Sequence, residues 1–158
     1  MSKPPNFLQG LLRPTRTLLG LLLRRPLVGT SIIPCLPDGR IVLIRRRDSE
    51  KWGLPGGMVD WDEDIPSAAK RELTEETGLT LTTVGRLVGV YSSSSRDPRF
   101  HSVCVAIEAF AEGNFNILDE AEVMDVRAFS AESLPIANMA HDHAAQLTDY
   151  FAGKTVLA

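Results

Sequence analysis

One predicted helix limits what this chain can fold into, because the face that it should bury ends in carboxylates. Its apolar stripe begins at Ile65 and continues through Ala68 and Ala69, at the i, i+3, i+4 spacing of one helix face. The same spacing then reaches Glu72 and Glu76. An apolar stripe packs on a core, whereas a buried charge needs an opposite charge or water. The fold must therefore bury this helix at one end and surround it with a polar site at the other.

Local signals mark both ends of this helix. Asp64 is a good N-cap, Pro66 suits a first turn, and Gly78 suits the position just past the last turn. These signals predict a helix over residues 64–77. Glu75 lies beside the stripe, within one turn of both of its glutamates, so three carboxylates converge.

Converging carboxylates of this kind need an opposite charge. Two carboxylates about 4 Å apart on a partly buried face repel each other by several kcal/mol at an effective dielectric of about 20. Oxygen-rich clusters suit a hard cation such as Mg²⁺ or Mn²⁺, with substrate phosphates as further ligands. A solvated acidic patch, balanced by Lys70 and Arg71, is the alternative that this helix alone leaves open.

The helix lies inside a longer motif. Gly57 is followed after five residues by Glu63, and after seven more by a run from Arg71 to Leu79 that reads Arg-Glu-Leu-Thr-Glu-Glu-Thr-Gly-Leu. This run resembles the complete twenty-three-residue box of the Nudix hydrolase family at every fixed position. Gly56, at the end of a Leu-Pro-Gly stretch, also resembles the loop that leads into the box. The resemblance implies metal-dependent hydrolysis of a diphosphate linkage in a nucleoside diphosphate derivative.

The remaining pattern predicts an α+β domain of the α/β/α sandwich type, over residues 27–158. Strands are predicted at Val28–Leu36, Ile41–Ile44, Leu81–Val90, Phe100–Phe110 and Val123–Phe129, and a closing helix at Asn138–Phe151. The Gly- and Pro-rich stretch Trp52–Met58 is predicted to be irregular. The resemblance implies the same architecture, a mixed sheet flanked by helices.

The resemblance also implies roles for the residues of the box. The implied metal ligands are the backbone carbonyl of Gly56 and the carboxylates of Glu72, Glu75 and Glu76. Arg71 is expected to orient the glutamates by charge-assisted hydrogen bonds, and Glu63 to support the loop or a metal-bound water. Arg71, Glu63 and Glu72 are the expected catalytic residues of the box, which assist the attack of water on a phosphorus atom.

The resemblance also implies a general base outside the box, in a loop before the last strand. Glu122 is the first candidate, because it comes just ahead of the predicted strand Val123–Phe129, and Glu120 is the alternate. A solvated loop residue is the other interpretation of Glu122.

Three residues are candidates for substrate binding. Arg96 and Arg99 belong to an Arg-Asp-Pro-Arg loop that resembles a loop of some ADP-ribose pyrophosphatases, and their guanidinium groups could grip a phosphate or a ribose. The alternative is a turn with two surface arginines. Trp52 could stack on a base or pack the loop before the box. ADP-ribose or a related compound is therefore the expected substrate. The alternatives are a house-cleaning nucleoside triphosphate pyrophosphatase and a catalytically inactive nucleotide-binding regulatory module.

The first 26 residues form a basic, leucine-rich arm that lies outside the resemblance. Residues 1–47 carry nine Lys and Arg against one acid, Asp38, whereas the rest carry eight against nineteen. The uninterrupted apolar run is far shorter than the ~20 residues of a membrane span, and no small-residue cleavage site follows it. We expect the arm to pack on the domain or to form a homodimer contact, with weak contact to a membrane surface as the alternative.

We expect a cytoplasmic protein with a nucleotide-type substrate and no nucleic-acid partner. Cys35 and Cys104 lie in apolar, strand-like runs and are too few for a metal site or a disulfide framework. Both are expected to be buried free thiols.

Overall fold

The computed structural model describes residues 25–96 and 101–158 of the chain. This part contains seven strands and two helices. Arg99 and the first 24 residues of the basic arm lie outside these ranges. The strands are β1 (Leu27–Cys35), β2 (Ile41–Arg46), β3 (Trp52–Gly53), β4 (Thr80–Tyr91), β5 (Ser102–Glu112), β6 (Val123–Phe129) and β7 (Val156–Leu157). The helices are α1 (Ile65–Thr77) and α2 (His143–Phe151), and two 3-10 turns lie at Ala131–Ser133 and Ile136–Asn138.

All seven strands belong to one mixed sheet with the order β3-β2-β1-β5-β4-β7, and β6 pairs with β2. β1 runs parallel to β5 from the pair Leu27 and Ser102 to the pair Cys35 and Phe110. The β1–β2, β2–β6 and β4–β5 pairs are antiparallel. This mixed sheet, flanked by helices, confirms the predicted architecture.

The sheet separates two apolar clusters, because neighbouring strand residues point to opposite faces. On one face, Ile32 belongs to the cluster that also contains Ala69 and Leu73 of α1. On the other face, Ile33 belongs to the cluster that contains Leu147 of α2. Both helices therefore pack on the middle of the sheet, one on each side.

The stretch predicted to be irregular contains a short strand. Trp52 and Gly53 form β3, because Gly53 pairs with Ile44 of β2 and Trp52 pairs with Arg45. The rest of the Trp52–Met58 stretch is irregular, as predicted, apart from an isolated bridge between Met58 and Gly29.

The closing helix begins at His143 and not at Asn138. The backbone N–H of Ala140 donates to the carbonyl of Trp52 at 2.7 Å, which draws the chain toward the sheet edge. His141 then adopts a φ of 51°, a left-handed conformation that a right-handed helix does not contain. The helix begins only after this kink.

The two cysteines differ in burial. Cys104 is buried, as predicted, whereas Cys35 is only partly buried beside the hydroxyl of Tyr150 at 3.3 Å. Both are free thiols. Among the described residues, neither helix has the length and apolar character that crossing a membrane requires.

Candidate active site

A cleft of about 520 Å³ opens beside the start of β1. Its walls come from β1, from the loop after β3, from α1 and from the loop before β6. Lining residues from the sequence-predicted site are Gly56, Arg71, Glu72, Glu75, Arg96 and Glu122. The fold therefore gathers most of the predicted residues around one space.

Helix α1 reaches the cleft with the predicted caps. The carboxylate of Asp64 accepts a hydrogen bond from the backbone N–H of Ser67 at 2.8 Å, and Gly78 has a left-handed φ of 76°. Ala69 and Leu73 are fully buried, and Glu76 is only 2% exposed. The apolar stripe thus carries a carboxylate into the interior of the protein.

Glu76 holds the loop that precedes the box. Its Oε2 accepts a hydrogen bond from the backbone N–H of Gly56 at 2.7 Å. Burial raises the pKa of Glu76 to about 8; the Gly56 N–H lowers that pKa, and the nearby charges of Glu72 and Glu122 raise it further. Burial therefore favours the neutral carboxyl group, and a charged Glu76 needs a cation close by to stabilise it.

Glu72 lies against the glycine loop on the same side of the cleft. Burial raises its pKa, while a hydrogen bond from Arg71 lowers it and the charges of Glu75 and Glu122 raise it. A Cβ atom on Gly57 would lie 2.3 Å from Oε1 of Glu72. The loop therefore needs glycine here for the carboxylate to keep its position.

Arg71 connects the glutamates to the loop through hydrogen bonds. Its Nε and Nη2 atoms donate to the two carboxylate oxygens of Glu63 at 3.0 and 2.8 Å, and Nη2 also donates to the carbonyl of Met58 at 3.0 Å. Its Nη1 atom donates to Glu72 at 2.7 Å and, more weakly, to Glu75 at 3.4 Å. Glu63 in turn accepts from the backbone N–H of Asp60 at 3.0 Å. This geometry suits Arg71 and Glu63 to positioning the loop and the helix.

The donor chemistry of this cluster fits a hard divalent cation. Glu72, Glu75 and Glu76 supply carboxylate oxygens, and two of the three have raised pKa values because they are buried close to like charges. Within residues 25–96 and 101–158, no three acidic, His or Cys side chains are already arranged as a metal site. Arg71 pairs with Glu72, so metal binding requires a local adjustment of these side chains.

The two candidate bases differ in position. Glu122 lines the cleft, and its charge raises the pKa of both Glu72 and Glu76. Both side chains are exposed, but Glu120 is not part of the lining, and its backbone carbonyl accepts from Nε of Arg47 at 2.9 Å. Of the two, Glu122 faces the carboxylate cluster.

Trp52 does not face the cleft, which corrects its expected role in stacking on a base. The side chain is 9% exposed and belongs to the apolar cluster that contains Ile33 and Leu147. Phe129 packs edge-on at 5.0 Å between ring centroids, and the guanidinium of Arg127 lies 5.4 Å from the indole centroid. The position of Trp52 agrees with the alternative interpretation, in which the side chain serves in packing.

Arg96 also lines the cleft. Its Nε and Nη2 atoms donate to the carboxylate of Asp142, each at 2.9 Å, and its Nη1 atom donates to the hydroxyl of Ser102 at 2.6 Å. The side chain is 10% exposed, so it is part of the wall and not a surface arginine.

Several residues of the cleft have no sequence signal that would have identified them. His143, at the start of α2, lines the cleft, and its Nδ1 accepts from the backbone N–H of Leu54 at 3.0 Å. Burial lowers the pKa of His143 to about 3, which keeps the ring neutral and able to accept this bond. Arg46 also lines the cleft, and its charge lowers the pKa of Glu76.

Comparison with known proteins agrees with this geometry. The NUDIX domain family matches residues 25–150. The chain is 37% identical over 121 residues to an ADP-ribose pyrophosphatase of Methanocaldococcus jannaschii, across 74% of this chain and 69% of that protein. It is 30% identical over 125 residues to a Bacillus subtilis protein provisionally named an 8-oxo-dGTP diphosphatase, across 79% and 80% of the two chains. The crystal structure of a MutT NUDIX hydrolase from Burkholderia pseudomallei matches with a TM-score of 0.69 at 29% identity, across 79% of this chain and 98% of that one.

Proposed function

Because this chain belongs to the NUDIX hydrolase family, we propose that it is a Mg²⁺- or Mn²⁺-dependent pyrophosphohydrolase that cleaves the diphosphate linkage of ADP-ribose or a related nucleoside diphosphate derivative. The observation that carries this proposal is that Glu72 and Glu75 of α1 line one cleft with Glu122, while Glu76 of the same helix is buried and bonded to the Gly56 loop of that cleft. The carboxylates supply oxygen ligands for a hard cation, and the cleft is large enough to accept part of a nucleotide.

Each group of residues at the site has a separate proposed role. Glu72, Glu75, Glu76 and the carbonyl of Gly56 are the groups that would hold the cation. A bound divalent cation supplies polarisation of the phosphoryl oxygens and a lower pKa for the attacking water. Glu122 accepts a proton from the attacking water. Arg71 and Glu63 hold α1 and the loop that precedes it in position relative to each other.

ADP-ribose is the preferred substrate for two reasons. The Methanocaldococcus relative carries that activity in its name, and Arg96 and Arg99 belong to the loop that resembles the one in such enzymes. The Bacillus relative supports the alternative, a house-cleaning pyrophosphatase that acts on nucleoside triphosphates. A catalytically inactive binding module is a third possibility, which the intact set of carboxylates argues against.

A substrate panel separates these functions. In the presence of Mg²⁺, we expect the protein to convert ADP-ribose into AMP and ribose 5-phosphate faster than it hydrolyses NADH, diadenosine polyphosphates or oxidised dGTP. The products are measured by chromatography. Lack of turnover of every ADP-linked sugar would contradict the substrate proposal, and preferential turnover of oxidised dGTP would favour the triphosphate alternative. Binding of a nucleotide with no turnover of any panel member would favour the inactive module.

The assignment of the general base has its own test. We expect Glu122→Gln to lower kcat by about 10²-fold, the lower end of the range for general base catalysis, because the metal shares in activating the water. Glu120→Gln is the matched control and should retain nearly full activity, since its side chain is outside the cleft lining. The reverse order of the two effects would move the assignment to Glu120.

The basic arm is proposed to pack on the domain or to join two subunits. A chain that begins at residue 25 is expected to change in thermal stability or in oligomer size, measured by calorimetry and light scattering. Its binding to anionic liposomes should match that of the full chain. Loss of liposome binding, with unchanged stability and size, would instead support the membrane-surface alternative.

A further inference from the structure

Four large apolar side chains are exposed near the start of β1. Leu27, Val28 and Met58 line the cleft and are 41%, 47% and 51% exposed. An isolated bridge between Met58 and Gly29 holds the loop before α1 against this part of β1. Trp61 follows three residues after Met58, and its side chain is 99% exposed. We call Leu27, Val28, Met58 and Trp61 the apolar patch.

The apolar patch has the character of a contact surface. Single exposed apolar side chains are ordinary on a folded protein, but a tryptophan is usually buried over most of its surface. An indole in water forgoes one of the largest hydrophobic gains that any side chain can make. Large apolar groups that are exposed close together mark a place where another segment or molecule binds. The patch is therefore expected to be covered.

Acidic side chains accompany the apolar patch. Asp60 and Asp62 flank Trp61 in the sequence, and both are exposed. Asp60 lies 3.8 Å from Nη2 of Arg71, but 73% of its side chain is still exposed. Asp60 also lines the cleft, as do three residues of the patch. A segment that combines apolar side chains with basic ones has the chemistry to cover this surface.

The basic arm has that chemistry and is attached at the right place. Residues 1–24 contain eight leucines and four Lys or Arg, with no acid. Only Arg25 and Pro26 separate them from Leu27, the first residue of the patch. A segment joined by so short a connection has an effective concentration on the order of millimolar at the neighbouring surface. This attachment favours the arm of the same subunit over a free partner or a second copy.

We propose that the basic arm docks on the apolar patch of its own subunit, with leucines over Trp61 and basic side chains beside Asp60 and Asp62. The inference names the surface on which the arm packs, and it does not depend on the reaction that the protein catalyses. Because Leu27, Val28 and Met58 also line the cleft, the docked arm lies at the border of the cleft.

The solvent exposure of the Trp61 indole tests the proposal in the full chain. The protein has two tryptophans, so two indole N–H signals are expected by NMR, and Trp61→Phe identifies the second. A neutral gadolinium chelate broadens the signals of groups that water reaches. We expect little broadening of Trp61 in the full chain and strong broadening in an arm variant, in which Leu18, Leu19 and Leu22 are replaced by serine. Trp52 is 9% exposed and serves as the internal control in both.

Thermal unfolding gives an independent test by additivity. Trp61→Ser should lower the midpoint of the full chain by about 3 °C, because the substitution removes a contact with the arm. The same substitution in the arm variant should have almost no effect, since the indole is then already in water. Leu157→Ser is the matched control, because this leucine is 84% exposed and lies outside the patch. It should leave the midpoint nearly unchanged in both chains.

Four results would overturn the inference. Strong broadening of Trp61 in the unmodified chain would show that nothing covers it, and this measurement decides alone if the arm variant does not fold. An equal effect of Trp61→Ser in both chains would show that the arm is not the cover. Protection that is lost on dilution, together with a dimer seen by light scattering, would identify a second copy as the occupant. Protection that appears only with phosphatidylserine vesicles would identify a membrane surface. The proposed hydrolysis stands or falls separately, on the substrate panel.

Discussion

Replacing Glu76 with glutamine is expected to lower kcat on the best substrate by about 10³-fold or more. A metal ion in such a site contributes several kcal/mol of charge stabilisation, and about 4 kcal/mol corresponds to a factor near 10³ in rate. Glu76 is the most deeply buried carboxylate of the cluster, and burial raises its pKa to about 8. Glutamine keeps the shape but removes the charge that a cation needs as a ligand.

The same substitution should leave the fold intact, which makes the result interpretable. A glutamine oxygen can still accept from the Gly56 N–H, and the amide cannot acquire a buried charge. We expect the midpoint of thermal unfolding in metal-free buffer to stay the same or to rise, while the Mg²⁺ concentration needed for activity increases. Glu112→Gln, at the exposed end of β5, is the matched control for loss of one carboxylate. Unchanged activity of Glu76→Gln would show that the metal-site assignment is wrong.

Replacing glycine with alanine in the loop before α1 is expected to lower stability at Gly56 and activity at Gly57. Gly56 has a φ of 144°, and a Cβ atom there would lie 2.2 Å from the carbonyl oxygen of Thr30 and 2.9 Å from Cα of Ser31. Both contacts are with backbone, which cannot rotate away. We therefore expect Gly56→Ala to lower the free energy of unfolding by about 2–5 kcal/mol, from backbone strain and overpacking together.

Gly57→Ala should instead remove activity with little loss of stability. Here the added methyl group meets the carboxylate of Glu72, the far end of a flexible side chain that can turn aside. Turning aside moves a proposed metal ligand, so we expect kcat to fall by about 10²-fold, as for other changes that disturb the support of a metal site. Urea unfolding and activity are measured on both variants. Gly39→Ala is the control, because its Cβ atom would meet no atom within 4 Å and only its φ of 82° is strained. Equal stabilities of the Gly56 and Gly57 variants would contradict the contrast drawn here.

Helix α1 was predictable because its signals are local. Asp64 and Gly78 cap it within a few residues of chain, and the stripe through Leu73 to Glu76 needs no knowledge of any other element. β1, β2, β4, β5 and β6 were also placed within a few residues, since their apolar runs are bounded by turn residues, whereas the two-residue strands β3 and β7 were not predicted. Pattern and caps are sufficient wherever a segment determines its own conformation.

Features that depend on partners distant in sequence were missed. β3 exists because Gly53 meets Ile44, and the late start of α2 follows from the bond between Ala140 and Trp52. The pair of Arg96 and Asp142 joins residues 46 positions apart, so no local pattern indicates that this arginine already has a carboxylate. The expected role of Arg96, to grip a phosphate or a ribose, was inferred from its chemistry in isolation, without the carboxylate that the structure places beside it.

The parallel pairing of β1 with β5 has a consequence for how the protein acquires its activity. The pairing joins Leu27 to Ser102 and continues to Cys35 and Phe110, so every contact in it closes a loop of 75 residues. Closing long loops is entropically costly and slows folding, whereas a helix such as α1 forms from neighbours. Since β1 lines the cleft and carries the backbone against which Gly56 packs, the cleft does not exist before this closure. In a refolding experiment, we therefore expect helical signal to return first and hydrolysis only with the slow, final phase.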